Sequence, residues 1–173
     1  IYVPFWLYDA DVEMDMLCTG ALVRSFTEGD YQCKEIDEYR LERRGTMSYT
    51  NIPVDGSSKI DNVLMESIEP FDKKGLTEFK TAYLAGYYAD RYDIPQDQCI
   101  KRAEERMKRS SEEAFLATCS NYTGLNIENK RFEVLRSSYK YALYPVWLLN
   151  TTWQGKKYTF AMNGQTGQLI GDL

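Results

Sequence analysis

Asp9, Asp11, Glu13 and Asp15 alternate with Ala10, Val12, Met14 and Met16. On a strand, where every second side chain shares a face, that spacing sets four carboxylates in a row about 6.7 Å apart. Such a row can supply oxygen ligands to a divalent cation, as in a metal-dependent hydrolase, or meet a basic partner. It can equally be a solvated strand face. An EF-hand loop does not fit, because Met14 stands where that loop requires glycine.

Other chemistries are ruled out more directly. The chain has no histidine, which removes Ser-His and Cys-His nucleophile systems and most catalytic zinc ligand sets. It has no GxxxxGK[ST] loop for a nucleotide triphosphate. The stretch from Gly164 to Gly171 is glycine-spaced, but it joins strand to strand, whereas a dinucleotide fingerprint must open a helix. Cys18, Cys33, Cys99 and Cys119 form no CxxC pair and read as free thiols from a reducing compartment. Lys101, Arg102, Arg106, Lys108 and Arg109 are interleaved with Glu104 and Glu105, four residues before Lys108 and Arg109, so that helix carries its own ion pairs. Tyr83, Tyr87, Tyr88 and Tyr92 could stack on a ligand, yet at helical spacing they read as core. No residue is nominated as catalytic or cofactor-binding and no cofactor is expected. The only metal candidates are the four acids of the alternating strand.

The elements that would position these residues follow from periodicity and turn chemistry. Strands are expected over residues 2–12, 17–26 and 39–49, with a break at Gly45 and a turn at 51–56. Ser57 or Ser58 can cap a helix with Ile60, Val63, Leu64 and Ile68 on one face, ended by Pro70. Thr77 can cap a second, with Phe79, Tyr83, Gly86 and Tyr87 as its stripe. Pro95 suits the first turn of a third, long one that turns Ile100, Ala103, Met107 and Ala114 inward. A loop over 121–129 leads to strands at 131–141, 144–153, 158–163 and 168–172, with hairpin turns at 154–157 and 163–167. Strands at about 1–50, helices at about 57–120 and strands at about 131–173 describe a single α+β domain. It is an antiparallel sheet built from both ends around a central block of about three helices.

Pro-x-Trp-Leu occurs twice, at Pro4–Leu7 and Pro145–Leu148. Each lies in a run apolar on both faces, so Trp6 and Trp147 are expected to be buried in comparable, neighbouring strands. Internal duplication of one strand and mere similarity of two good strands both remain open.

Composition fits a globular domain: 173 residues, 43% hydrophobic and 27% charged, with 14 Tyr. A net charge of −5 argues against a dedicated nucleic-acid domain, whose affinity comes from Lys and Arg neutralising phosphates. The longest apolar run, 141–149, contains Pro145 and falls well short of the ~20 residues that span a bilayer. The chain opens on Ile1 and stops at Leu173 just after a glycine turn, the pattern of an excised piece.

The phrases VPFWLYDADV, IPVDGSSKIDNVLMESIEPFD, AYLAGYYADRYD and YALYPVWLLNTTWQGKKYTFAMNGQTGQLIGDL are similar over essentially the whole chain to a bacterial family. Its members carry a short cysteine zinc ribbon before this region and a membrane-spanning segment after it. They are labelled zinc-ribbon protein or primosomal replication-restart helicase. The ribbon's CxxC pairs and the helicase's nucleotide loop are both missing from this chain, so neither a zinc site nor an ATPase site carries over. The last hairpin, 158–172, also resembles PepSY-type hairpins that read Y…NG.TG. The resemblance implies a soluble module at the cytoplasmic face of a bacterial membrane, reaching the membrane only through its parent chain. That module would bind an as yet unknown protein partner or position the neighbouring ribbon, and nucleic acid is not expected to bind it. DNA replication restart, as helicase or accessory factor, and metal-dependent hydrolysis on the acidic strand are the alternatives.

Overall fold

Alternation of period two, more than helical periodicity, organises this chain. A computed structural model describes residues 1–171. The strands are β1 (Tyr2–Glu28), β2 (Tyr31–Asp55), β3 (Thr123–Trp153), β4 (Lys156–Asn163) and β5 (Leu169–Gly171). The helices are α1 (Asn62–Ser67) and α2 (Gln96–Ala117), with a single 3-10 turn at Thr81–Leu84. The strands order as β2-β1-β3-β4-β5, with β1 in the interior of the sheet.

The expected α+β layout is overturned. The chain is 56% strand and 19% helical, a mostly antiparallel sheet with two helices rather than a block of three. Most of the difference lies in strand length. β1, β2 and β3 run for 27, 25 and 31 residues, through places where polarity or turn chemistry had suggested ends. Gly45 does not break β2; the Phe115 ring packs beside it, 3.7 Å from where a Cβ would stand. Asn51 does adopt the left-handed conformation its type favours, at φ 52°, but as a kink inside β2 rather than a chain reversal. The loop expected over 121–129 is already strand from Thr123 onward.

The helical losses have local causes. Residues 77–92 carry rings at helical spacing, but Lys80 provides no side-chain cap, and Gly86 sits at φ +83°. What remains is one 3-10 turn, and Phe79, Tyr83 and Tyr87 in and around it are exposed, not a buried stripe. In α1 the cap is Asp61, which accepts from Leu64 N at 2.9 Å. Ser57 and Ser58 instead bind Asp90 and Asp93. α2 stands where Pro95 placed it; Ala103 and Met107 are buried, whereas Ala114 is exposed. Both C-terminal hairpins stand as expected. Gln154 and Gly155, at φ 49° and 78°, form the two-residue turn between β3 and β4. Asn163 anchors the next turn, accepting from Gln165 N and Thr166 N and donating to Ile68 O and Pro70 O. β5 covers Leu169–Gly171 of the strand expected at 168–172; Asp172 lies outside the described residues.

The chain condenses into two compact units. The first comprises Ile1–Asp9, Thr50–Ala103 and the described residues from Ser138 onward; the second is Ala10–Tyr49 with Glu104–Ser137. In the first, Val3, Phe5 and Leu7 of β1 pack with Met65, Ile68, Phe71, Ala142, Tyr144, Val146 and Ala161. In the second, Met14, Met16 and Cys18 pack with Leu41, Cys119 and the α2 residues Phe115 and Leu116.

The two Pro-x-Trp-Leu runs part company here. Val3 through Tyr8 are all buried, so β1 is covered on both faces, and Trp6 is 7% exposed. Its Nε1 donates to Ile94 O at 3.0 Å, and its indole lies 5.0 Å from the Tyr92 ring and 5.2 Å from that of Tyr141. Gly56 lets the backbone lie close to the indole, since a Cβ there would stand 3.1 Å from Trp6 Nε1 and would need Trp6 or Tyr92 to give way. Trp147, by contrast, is 63% exposed. β1 and β3 are neighbours, as expected, but the runs are not partners in register: Ile1 O accepts from Val146 N, while Trp6 faces Tyr141.

Trp6→Ala should therefore cost ~3–5 kcal/mol, as buried aromatic truncations do. Trp147→Ala should stay within ~0.5 kcal/mol, the range of surface substitutions. Urea denaturation of the two variants checks both, and equal losses would contradict this account of burial.

Candidate functional site

The four acids of β1 do share one face, and each is met by a cation or a donor from a neighbouring strand. In the first unit, Asp9 pairs with Lys140 of β3 at 3.2 Å and accepts from Asn51 N at 2.7 Å. In the second, Asp11 accepts from Ser48 Oγ at 2.7 Å and pairs with Arg136 at 2.7 Å. These two bonds, the hydroxyl first, hold the Asp11 carboxyl below the ordinary aspartate range. Arg44 of β2 and Arg131 of β3 both bridge Glu13 and Asp15, at 3.0 to 3.4 Å. The contact of Arg44 Nε with Asp15 Oδ1 is an ion pair without the alignment of a hydrogen bond. β2 and β3 flank β1, so their outward cations stand beside its acids in the sheet. Among the described residues, no group of three or more His, Cys, Asp or Glu is placed to hold a metal ion.

A second charged cluster was not picked out from the sequence. Asp55, the last residue of β2, is 1% exposed. Arg102 of α2 reaches its Oδ1 at 3.0 Å and Glu66 Oε1 at 2.8 Å, while Asp55 Oδ2 has no partner. Burial raises the Asp55 carboxyl, and Arg102 only partly offsets it. Beside it, Cys99 Sγ points at Asp55 O at 3.6 Å, and burial pushes that thiol up to about 11. A thiol so raised is protonated at neutral pH and is a poor nucleophile. The cluster clasps the end of β2 to both helices. By sequence Asp55 falls in a turn and Arg102 on the surface of a helix, and nothing in their local spacing pairs them. All four cysteines are free; Cys18, Cys99 and Cys119 are buried.

The third feature is apolar. The register of β3 on β4 sets Trp147 opposite Met162, Leu149 opposite Phe160, Thr151 opposite Tyr158 and Trp153 opposite Lys156. β5 adds Leu169 beside Met162 and Gly171 beside Phe160. Directly opposed residues share a face, so these line up on one side of the sheet while Val146 and Ala161 belong to the core. Trp147, Leu149, Trp153 and Leu169 are 63%, 62%, 66% and 61% exposed. Among the described residues the face carries no carboxylate and one cation, Lys156, whose Nζ stands 5.9 Å from the Tyr158 ring centre. Phe160 lies across Gly171, where a Cβ would collide with its ring. At one end, Trp147 also borders an open groove of about 500 Å3 lined by Tyr2, Tyr87, Tyr88 and Pro145, with no charged side chain. A second groove, of about 510 Å3, runs between α1 and the opposite face at Leu148, Asn150 and Ile170. No helix among the described residues is long and apolar enough to cross a membrane.

No protein-family model matches the chain, and no solved structure matches it. It is 34% identical over 171 residues to a protein of Bacillus subtilis (strain 168) named "Uncharacterized protein YdjG". That alignment covers 99% of this chain and 50% of the relative, so the chain spans half the length of the curated protein it matches.

Arg102→Met leaves Asp55 buried without its cation and should cost about 3 kcal/mol at neutral pH, the lower end for a broken buried pair because Arg102 is partly exposed. A carboxyl raised in the folded state favours folding at low pH, and that contribution is lost as pH rises through the folded value. The Arg102→Met deficit should accordingly shrink as pH falls toward the ordinary aspartate value near ~4. Melting curves of wild type and variant across that range measure it. On β1, Glu13→Gln should change stability by under ~1 kcal/mol, as exposed ion pairs do. Manganese or calcium should leave the melting temperature of wild type where it is; a rise confined to the wild type would restore the metal reading of the acidic strand.

Proposed function

We propose that this chain is a non-catalytic docking module whose binding surface is the apolar outer face of β3, β4 and β5. In a longer parent it would hold a neighbouring zinc ribbon in place at a membrane. One observation carries the reading: four large apolar side chains, each more than 60% exposed, stand together on one sheet face with no carboxylate among them. Contiguous apolar patches of that kind on a soluble surface mark places that another surface covers.

The chemistry elsewhere supports a binding role over a catalytic one. The acids of β1 are engaged by Lys140, Arg136, Arg131 and Arg44, which weakens them as cation ligands or general bases. The same pairing engages the arginines a replication factor would offer to phosphates; Arg40 and Arg43 are likewise held by Glu128 and Thr118. Cys99 and Cys18 are both shifted toward the inert thiol by burial.

The test is a photo-crosslinking amino acid placed at Leu149 in the full-length parent protein in its own cells, with Glu38 on β2 as the control position. Crosslinked adducts at Leu149 and none at Glu38 are expected. Equal labelling at both positions, or none at Leu149, would overturn the assignment of this face.

A further inference from the structure

We infer that the surface covered by this face is an anionic lipid membrane, met by the β3–β4 hairpin lying flat in the headgroup boundary. This rests on the docking reading above and names its partner. Three observations carry it.

The first is composition by position. Trp147 and Trp153 stand at the two ends of the exposed β3 row, with Leu149 between them and Phe160 and Tyr158 alongside on β4. Large apolar side chains with indoles and a phenol at the margin match the boundary between acyl chains and water, where amphipathic rings concentrate.

The second is charge. Lys156 and Lys157 follow the hairpin turn, and Lys156 sits on the apolar face itself opposite Trp153. Neither is in an ion pair among the described residues, although Arg24, Arg40, Arg44, Arg131 and Arg136 all are. In a chain of net charge −5, a face that carries Lys156 and no carboxylate among the described residues, with Lys157 next to it at the tip, has the opposite sign to the molecule. Lysine is depleted at protein–protein interfaces, whereas paired with Trp it suits anionic headgroups, its stem lying along apolar surface and its ammonium reaching phosphate.

The third is backbone satisfaction. The hairpin is paired in register from Val146↔Asn163 out to Trp153↔Lys156, and the turn is two residues long. Approach to an apolar phase is costly for unpaired peptide groups; the facing edges of β3 and β4 satisfy each other up to the tip, while the outer edge of β4 before Phe160, without a strand partner among the described residues, would stay in the hydrated headgroup layer.

The test is flotation of the 173-residue chain with large vesicles of phosphatidylcholine alone or with an equal part of phosphatidylglycerol. Trp fluorescence is read in parallel, with brominated lipid as quencher. Binding to the anionic vesicles, weaker with salt, is expected, with quenching of Trp147 and Trp153 when each is left alone beside Trp6 by a Phe substitution at the other. Lys156→Glu with Lys157→Glu should lower partitioning by roughly tenfold or more. Leu149→Glu should abolish it, both variants keeping the wild-type melting temperature. No flotation, or flotation indifferent to these substitutions, overturns the lipid inference. If Leu149 then still crosslinks to a protein in cells, the docking reading stands with a protein partner; if it crosslinks to nothing, both fall.

Discussion

Residues 3–8 of β1 are buried on both faces, and the first unit is arranged around that constraint. A strand segment with no solvent face needs cover on two sides. On one, Val3, Phe5 and Leu7 receive α1, Phe71 and the inward row of β3 and β4. On the other, Trp6 and Tyr8 receive residues 92–96, with the indole nitrogen and the phenol hydroxyl capping the carbonyls of Ile94 and Gln96. Buried polar atoms of large aromatic side chains require such partners. The segment leading to α2 is pinned by that requirement, and with it the start of the helix.

The charged row of β1 follows from the same interior position. A strand with neighbours on both sides has its outward side chains flanked from both, and four carboxylates in a row repel unless cations stand between them. Lys140 provides one for Asp9 in the first unit; Arg136, Arg131 and Arg44 provide them in the second. Because these pairs are largely exposed, their worth lies more in register than in stability: a one-residue slip would turn every acid to the other face.

The cover that β1 receives stops at Trp147. Beyond it β3 carries Leu149 and Trp153 outward on a hairpin whose other face alone contributes to the core. The two Pro-x-Trp-Leu runs thus differ in partners, not in pattern. One has residues 92–96 laid against it; the other has β4 beside it and nothing over its outer face among the described residues. That contrast leaves the C-terminal hairpin with an apolar face that nothing covers among the described residues.

Much of the local structure was legible in the chain. Gln154-Gly155 and Asn163–Gly167 specify hairpin turns through the backbone conformations those residues favour. Pro95 marks the start of α2, and the alternation around Asp9–Asp15 specifies a strand with one acidic face. These are short-range effects, settled by residues within a few positions of one another. What only the tertiary structure decided depends on partners far apart in sequence. Strand lengths belong here, because a polar row is a strand's outward face only if neighbours pair with its backbone. So does the fate of residues 77–92, where rings at helical spacing stay exposed for want of a cap and a core to face. Asp55 meets Arg102 across 47 positions, and Trp147 differs from Trp6 only in what lies over it. Burial is a property of the neighbours, and no pattern within one strand contains them.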